Sequence, residues 1–364
     1  MRTKSPTFVY FWPSILLLAL IITGLSIMLW KSGPSRRQAN WVSQWREVSH
    51  FSIPRRALTA VASPTHLYVI GGVDNQGNYV KDVEFASIEK DGGLGPWKTT
   101  SSINQGRFYL ASAIVGEYVF ILGGGSGPTG DENAPIASVE RAHINPDGSL
   151  GNWEIVSHTQ LPRRGLKTAV VGNHIYAIGG YSGVFLRSTE YATVELDGTL
   201  SEWTLDPHEA NLDRYIHSVA SVKNRIYLLG GHVQNSSQIS YGDVESTKIT
   251  PSGELSSWEI ERSKLLQARF IASAFALDHW LYMLGGHNGG TRLKTVEFAQ
   301  VFNNGHVGNW SMTSSLNTPR SAAATAVSGK FVYVLGGMGD MSALNSVEMA
   351  TAASSGELGY LAKQ

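Results

Sequence analysis

At 364 residues, 42% of them apolar and 16% charged, with 39 glycines, the chain has the composition of a folded, turn-rich protein and not of a disordered one. Lys+Arg and Asp+Glu both number 29, so no bulk attraction to nucleic acid follows. Cysteine is absent, which excludes disulfides, thiolate metal sites and cysteine nucleophiles and fits an oxidising or a reducing compartment equally.

Residues 1–7 form a short tail carrying Arg2 and Lys4. From Phe8 to Trp30 there are 23 residues without a charge, and Ile15 to Ile22 is wholly apolar. That is enough for a helix to cross a bilayer core of about 30 Å. Tyr10, Phe11 and Trp12 at one end and Trp30 at the other suit the two interfaces, and Pro13 falls in the first turns, where it does little harm. The stretch 8–30 is therefore expected to be a single transmembrane helix, a signal anchor. The alternative is a cleaved signal peptide, because Gly24-Leu25-Ser26 offers small residues with cleavage spacing. Ile27 to Trp30 prolong the apolar run past that point and favour the anchor. Arg2, Lys4 and the amino terminus on one side balance Lys31, Arg36 and Arg37 on the other. The seven-residue leader resembles that of an ordinary signal anchor, so the expected localisation is a single-pass membrane protein whose main domain is periplasmic or otherwise extracytoplasmic. Residues 31–40, KSGPSRRQAN, read as a polar linker.

From residue 41 onward one unit recurs. Gly pairs begin at Gly71, Gly123, Gly179, Gly230, Gly285 and Gly336, at steps of 52, 56, 51, 55 and 51 residues, each after an apolar run. In the unit from Arg163 to Trp203 the alternation of apolar residues predicts strands over Leu166 to Val171, His174 to Ile178 and Ser188 to Glu195, with a fourth starting near Leu200. Four short strands leave two apolar faces, so such a unit must stack on its neighbours around an axis. Six units predict six blades. The spacing from Trp to Gly pair is 26 residues for Trp45, Trp97, Trp153 and Trp310 and 27 for Trp203 and Trp258. Trp45 thus belongs to a fourth strand with no strands before it, while the last unit has three strands and no Trp. The economical solution is that residues 41–49 supply the missing strand of blade 6 and close the ring, removing its edges. The propeller domain is then 41–364.

In strand 3, Glu84, Glu140, Glu190, Glu245, Glu297 and Glu348 are each followed eight residues later by Gly, preceded by Asp91, Asp147, Asp197, Ser252, Asn304 or Ser355. Asp-Gly and Asn-Gly suggest two-residue hairpins with positive φ at both central positions. The Trp five residues after each of the first five turn glycines reads as a wedge between blades, and burying one indole contributes about 4–6 kcal/mol as an upper estimate.

The Gly pairs, the preceding HLYVIGG, YVFILGG, HIYAIGG, RIYLLGG, WLYMLGG and FVYVLGG, and the Trp after them resemble the bacterial kelch-repeat, galactose-oxidase-type propellers over about residues 41 to 361. The resemblance implies an all-β, six-bladed kelch-type β-propeller; function does not follow from such a fold. Length varies only between Gly pair and Glu (13, 17, 11, 15, 12 and 12 residues), so the loops between strands 2 and 3 are the expected binding elements.

Arg55, Arg107, Arg163, Arg214, Arg269 and Arg320 each lie 16 residues before their Gly pair and form a ring. Six guanidiniums could hold an acidic ligand, but the resemblance favours a structural role in which each binds main-chain carbonyls of the adjacent blade. In ligand-binding kelch propellers the contacts come from the residue after that Arg and the residue after Gly-Gly. Carried over, these are Arg56, Phe108, Arg164, Tyr215, Phe270 and Ser321, with Val73, Gly125, Tyr181, His232, His287 and Met338. The amphipathic cup they imply suits a sugar, a peptide or an acidic side chain, with a positive field from the adjacent ring arginines.

Copper-radical oxidation as in galactose oxidase needs a Cys–Tyr crosslink and is excluded. Sialic-acid mutarotases are also six-bladed kelch proteins, so a sugar-active enzyme is the alternative to a non-enzymatic interaction module; the Arg are present, but the repeated Glu look structural. His217, His232 and His287 could share a metal only if the fold converged them, since no close-spaced His motif exists. No catalytic residue, metal site or cofactor is assigned. The expected partner is another protein, such as a membrane-complex component, or a glycan or acidic ligand. Asn235 and Asn309 lie in glycosylation sequons if the host glycosylates.

Overall fold

The computed structural model describes residues 41–127, 133–233 and 239–361, and the following concerns the compact body Val42–Tyr360. It is all-β. The segment 8–30 lies outside the described residues, and among these no helix is long and apolar enough to cross a membrane.

Blade 1 consists of Thr59–Ala62, His66–Ile70, Val83–Ser87 and Lys98–Thr100, hydrogen-bonded in that order from inside to outside. Blades 2 to 5 repeat the meander, with innermost strands Ala111–Val115, Lys167–Val171, Ser218–Val222 and Ser273–Leu277. Each second strand is buried almost throughout, because it sits mid-sheet with both faces covered: His66–Ile70 and Phe331–Leu335 both expose only their first residue. In blade 3 the fourth strand is Thr204–Leu205, just after Trp203, while Leu200 makes a single bridge to Val194. The strand expected near Leu200 thus starts later, once the indole has been placed.

Blade 6 has Ala324–Ser328, Phe331–Leu335 and Ser346–Ala352, and its outer strand is Arg46–His50, paired from Arg46↔Met349 to His50↔Ser346. Trp45 sits in the core between blades 5 and 6, its Nε1 donating to the Ser314 carbonyl at 2.9 Å. Trp97 of blade 1 donates to Ser49 Oγ at 3.0 Å and meets Phe51 edge-on. The first strand of the body is therefore gripped by the last blade and the first.

The apolar core is divided among the seams. Among the described residues six clusters each join two neighbouring blades: Tyr68 and Ile70 with Val119, Ile121 and Trp153, for example, or Leu67 and Val69 with Tyr333 and Leu335 where the ring closes. Five of the six Trp are at least 94% buried, as a wedge requires, and Trp97 is the partly exposed one. Polar ties run alongside. Tyr68, Tyr176, Tyr227, Tyr282 and Tyr333 each donate their hydroxyl to the turn-glycine carbonyl of the next blade at 2.7–3.0 Å.

The turns between strands 3 and 4 differ from the two-residue hairpins the dipeptides suggest. Gly92 N donates to Glu89 O, Glu89 N donates to Gly93 O, and Gly92 has φ +82° while Asp91 stays out of the left-handed region. This is a type I turn followed by a left-handed glycine, the bulged hairpin. Asp91 acts through its side chain, accepting Gly93 N–H at 3.0 Å, as Asp147 and Asp197 do in their turns.

Removing residues 41–50 leaves blade 6 without its outer strand and exposes its edge. A chain beginning at Ser52 is expected to melt lower and less cooperatively by calorimetry than one beginning at Arg36; equal melting of the two would show that Arg46–His50 is dispensable.

Candidate functional site

The six ring arginines are at most 1% exposed, and each has a carboxylate from its own blade. Arg55 Nη2 lies 2.6 Å from Glu84, Arg163 2.8 Å from Glu190, Arg214 2.7 Å from Glu245 and Arg320 2.6 Å from Glu348; Arg107–Glu140 and Arg269–Glu297 pair likewise. Nη1 of each also donates to the first carbonyl of the Gly pair, as Arg163 does to Gly179 O at 2.8 Å and Arg214 to Gly230 O at 2.7 Å. The carboxylate in turn accepts main-chain N–H groups from the segment entering its blade: Ser52 N on Glu84, Gln160 N on Glu190, Asn317 N on Glu348. The carbonyls are thus in the same blade and not the adjacent one, and the repeated Glu neutralises the repeated Arg. The ring is not a free cationic collar, and it lends the mouth no positive field.

Two residues beyond each ring Arg the backbone turns left-handed, at Ala57, Tyr109, Gly165, Ile216, Ile271 and Ala322, with φ between +44° and +70°. For the two isoleucines this is a strained conformation. It directs five of these N–H groups sideways to the preceding blade: Tyr109 N to Ala57 O, Gly165 N to Tyr109 O, Ile271 N to Ile216 O, Ala322 N to Ile271 O and Ala57 N to Ala322 O, at 2.8–3.0 Å. The result is a belt of hydrogen bonds, open between blades 3 and 4, beside a small space of about 20 Å³.

Above the belt, the two residue sets carried over from the resemblance meet as pairs. Arg56 bridges Val73, Phe108 Gly125, Arg164 Tyr181, Tyr215 His232, Phe270 His287 and Ser321 Met338, each through main-chain hydrogen bonds. The left-handed residue and the Gly pair bring the chain back on itself at this level, which is why both sets reach one mouth. The side chains form an arc: Phe108, then Tyr181 and Tyr215 at 5.8 Å between ring centroids, then His232 against Phe270 at 5.2 Å and Phe270 against His287 at 5.5 Å. Tyr79, stacked on Phe108 at 5.0 Å, and Phe185, 5.3 Å from Tyr215, extend it. These two come from the variable loops between strands 2 and 3, whose path the sequence did not fix.

Arg164 is held at the centre of this arc. Its guanidinium lies 4.9 Å from the Tyr181 ring centroid, 5.8 Å from Phe108 and 5.9 Å from Tyr215. Nε donates to Tyr215 Oη at 3.0 Å and Nη1 to Asn133 Oδ1. Burial raises the Tyr215 phenol pKa, with Arg164 opposing the shift, so the phenol remains protonated at neutral pH. Arg56 makes one long bond, to Asp74 O at 3.3 Å, and is half-buried. The two arginines are therefore unequal: one is fixed in aromatic contacts and the other is tethered by a single long bond.

The histidines do not converge. His232 Nδ1–H donates to Ile239 O at 2.7 Å. His287 Nδ1 accepts Gly289 N–H at 2.9 Å, which puts its proton on Nε2, and burial lowers its pKa. His217 is not in the mouth: its ring is packed beneath Gly179 in the wall between blades 3 and 4, and burial beside Arg214 and Lys167 pushes its pKa down to about 3. Among the described residues no group of three His, Asp or Glu is placed to hold a metal ion.

With this geometry the comparisons agree on the repeat. The Kelch motif family matches residues 54–84 and 162–195. Kelch-like protein 15 of Homo sapiens is 26% identical over 240 residues, 62% of this chain and 38% of its own length, and that of Danio rerio is 27% identical over 241 residues. Kelch-like protein terF of Aspergillus terreus is 26% identical over 262 residues, 68% of this chain and 54% of its own. The chain thus spans about two fifths of the first of these relatives. They are eukaryotic, and nothing in them points to a bacterial source. The solved "Structure of YjhT" superposes with a TM-score of 0.64 at 14% identity, covering 85% of this chain and 98% of that one, which shows the fold alone. Sequence, fold and comparisons together describe a six-bladed β-propeller built from Kelch motifs.

Proposed function

We propose that the chain is a non-enzymatic interaction module that binds a protein or other acidic ligand at the mouth lined by Arg56, Phe108, Arg164, Tyr181, Tyr215, His232, Phe270 and His287. The observation that carries this reading is the pre-organised Arg164, a cation fixed by three aromatic rings and two hydrogen bonds on a concave surface. A fork held in place loses little entropy when it takes a carboxylate, and aromatic surface around it supplies contact area. Exposed Val184 and Met341, in the loops between strands 2 and 3, add apolar surface at the rim. Kelch propellers commonly serve as protein-binding modules, which favours a polypeptide as the partner. The uncharged stretch 8–30 is the feature that supports attachment to a membrane, and the seven-residue leader the one that favours a propeller outside the cytoplasm.

Replacing Arg56 and Arg164 together by Ala is expected to weaken binding of an acidic partner by about 2–5 kcal/mol. Because Arg164 also holds Tyr215, its replacement should lower the melting temperature modestly, whereas Arg56→Ala alone should not. Proteins cross-linked to the full-length chain and lost from the double variant identify the partner. Retention of them by the double variant, with loss on substitution of Asp91 or Asp147, would move the site to the opposite face. Turnover of sialic acid anomers by NMR would instead establish the sugar-active alternative. The full chain is expected to stay in the membrane pellet after carbonate washing, and a mature N-terminus at Ile27 would contradict the anchor.

A further inference from the structure

On the face opposite the mouth, each turn between strands 3 and 4 is covered by the first residue of strand 2 of the preceding blade, which lies across the turn glycine. Five blades supply an aromatic ring there: Phe331 over Gly92, His66 over Gly148, Tyr118 over Gly198, His174 over Gly253 and Trp280 over Gly356. Blade 4 supplies Arg225, whose Nε would collide with a Cβ on Gly305. Directly opposite Arg225 on strand 3 is Lys248, where the other blades have Ser87, His143, Thr193, Gln300 and Thr351. Two such cations facing each other on neighbouring strands repel. The hairpin leading into this strand carries a third. Lys223 has φ +53° at the position held by Gly116, Gly172 and Gly329 in blades 2, 3 and 6 and by Asp278 in blade 5. A left-handed lysine is strained.

These three departures from the repeat meet in one open pocket of about 260 Å³ between blades 4 and 5, whose wall also holds His279 and the amides of Asn224, Asn303 and Asn304. Among the described residues no carboxylate lies within ion-pair distance of Lys223, Arg225 or Lys248. Asp243 and Glu245 of the same blade are taken by Lys264 and Arg214. Glu261 receives Ser246 Oγ–H at 2.6 Å and Val307 N–H at 3.3 Å, and Asp278, next to His279, does not line the pocket. Arg225 makes one long bond, Nη1 to Ser246 Oγ at 3.3 Å.

We propose that this pocket binds a phosphate group, carried by a small molecule or by a lipid headgroup. A carboxylate is satisfied by a single guanidinium fork, whereas a phosphate has oxygen atoms for the Arg225 fork and for the two ammonium groups beside it. The repulsion between Arg225 and Lys248 destabilises the empty protein, and an anion between them offsets it. The pocket has room for what carries the phosphate, and Phe302 in its wall, 49% exposed, offers that carrier an apolar contact. No residue of the mouth takes part, so the site is separate from the one proposed there.

The probe is inorganic phosphate, followed by its 31P line width with the full-length chain in neutral detergent. Saturable broadening is expected, reversed by sulfate but not by the same concentration of acetate. Lys248→Gln should weaken the apparent affinity about tenfold, the loss of one charge-assisted bond. Lys223→Gly should weaken it similarly and at the same time raise the melting temperature, because glycine relieves the left-handed backbone. Phosphate should raise the melting temperature of the wild type and not that of Lys248→Gln. The Arg56→Ala, Arg164→Ala double variant should bind phosphate as the wild type does. Competition by glycerophosphoglycerol would identify a lipid headgroup as the source of the phosphate, and its failure to compete a free phosphate compound; the site stands in both cases. Absence of broadening, reversal by acetate as readily as by sulfate, or loss in the mouth double variant with retention in Lys248→Gln would overturn it.

Discussion

Each blade is fastened at its inner end by an arginine and a glutamate withdrawn together from water. The pairing of a buried ion pair with apolar surroundings contributes little net stability in general, and breaking it by removing one member costs about 3–5 kcal/mol. Here the pair does more than cancel charge. The guanidinium closes the Gly-Gly carbonyl and the strand 3 backbone, and the carboxylate takes the N–H groups of the segment that enters the blade. Three chain segments meet at one point, so the geometry of every blade entrance is specified by the same two residues.

Everything nearer the axis depends on those entrances. In five of the six blades the left-handed residue two places beyond the Arg turns its N–H to the neighbouring blade, and in five the second glycine of the pair donates to the next blade's ring Arg carbonyl, as Gly72 does to Arg107 O and Gly337 to Arg55 O. The first contact makes the belt of hydrogen bonds beneath the mouth. The second ties the blades in sequence and, at Gly337, ties the last to the first. Strain in Ile271 is held from both sides, by Ile216 O and Ala322 N. Along the axis the lining changes from an aromatic and cationic mouth that varies with the loops to small side chains on five inner strands and Lys167 on the sixth.

Much of the architecture could be read from spacing, because a repeat states its own register: six blades from six Gly pairs, and Trp wedges from an invariant interval. What spacing could not show is which repeated residues touch. The Arg and the Glu recur with different separations, 29 residues in blade 1 and 33 in blade 2, since the variable loop lies between them, and this concealed their pairing. The turn glycines misled in detail, because Asp-Gly serves a bulged turn as well as a two-residue one and the choice depends on strand register. At the mouth, the paired positions came from the resemblance; the caging of Arg164 depends on Tyr181 and Tyr215 being on adjacent blades, and Tyr79 and Phe185 belong to loops whose path no periodicity constrains.

The most direct test of the paired ring is a double-mutant cycle on Arg163 and Glu190, measured by denaturant unfolding. Arg163→Met and Glu190→Gln should each cost about 3–5 kcal/mol by orphaning a buried charge, and the double variant should cost much less than their sum, leaving a coupling of several kcal/mol. Additive effects, or an Arg163→Met protein that keeps its stability and loses only ligand binding, would contradict the assignment and return the ring to the list of free cations.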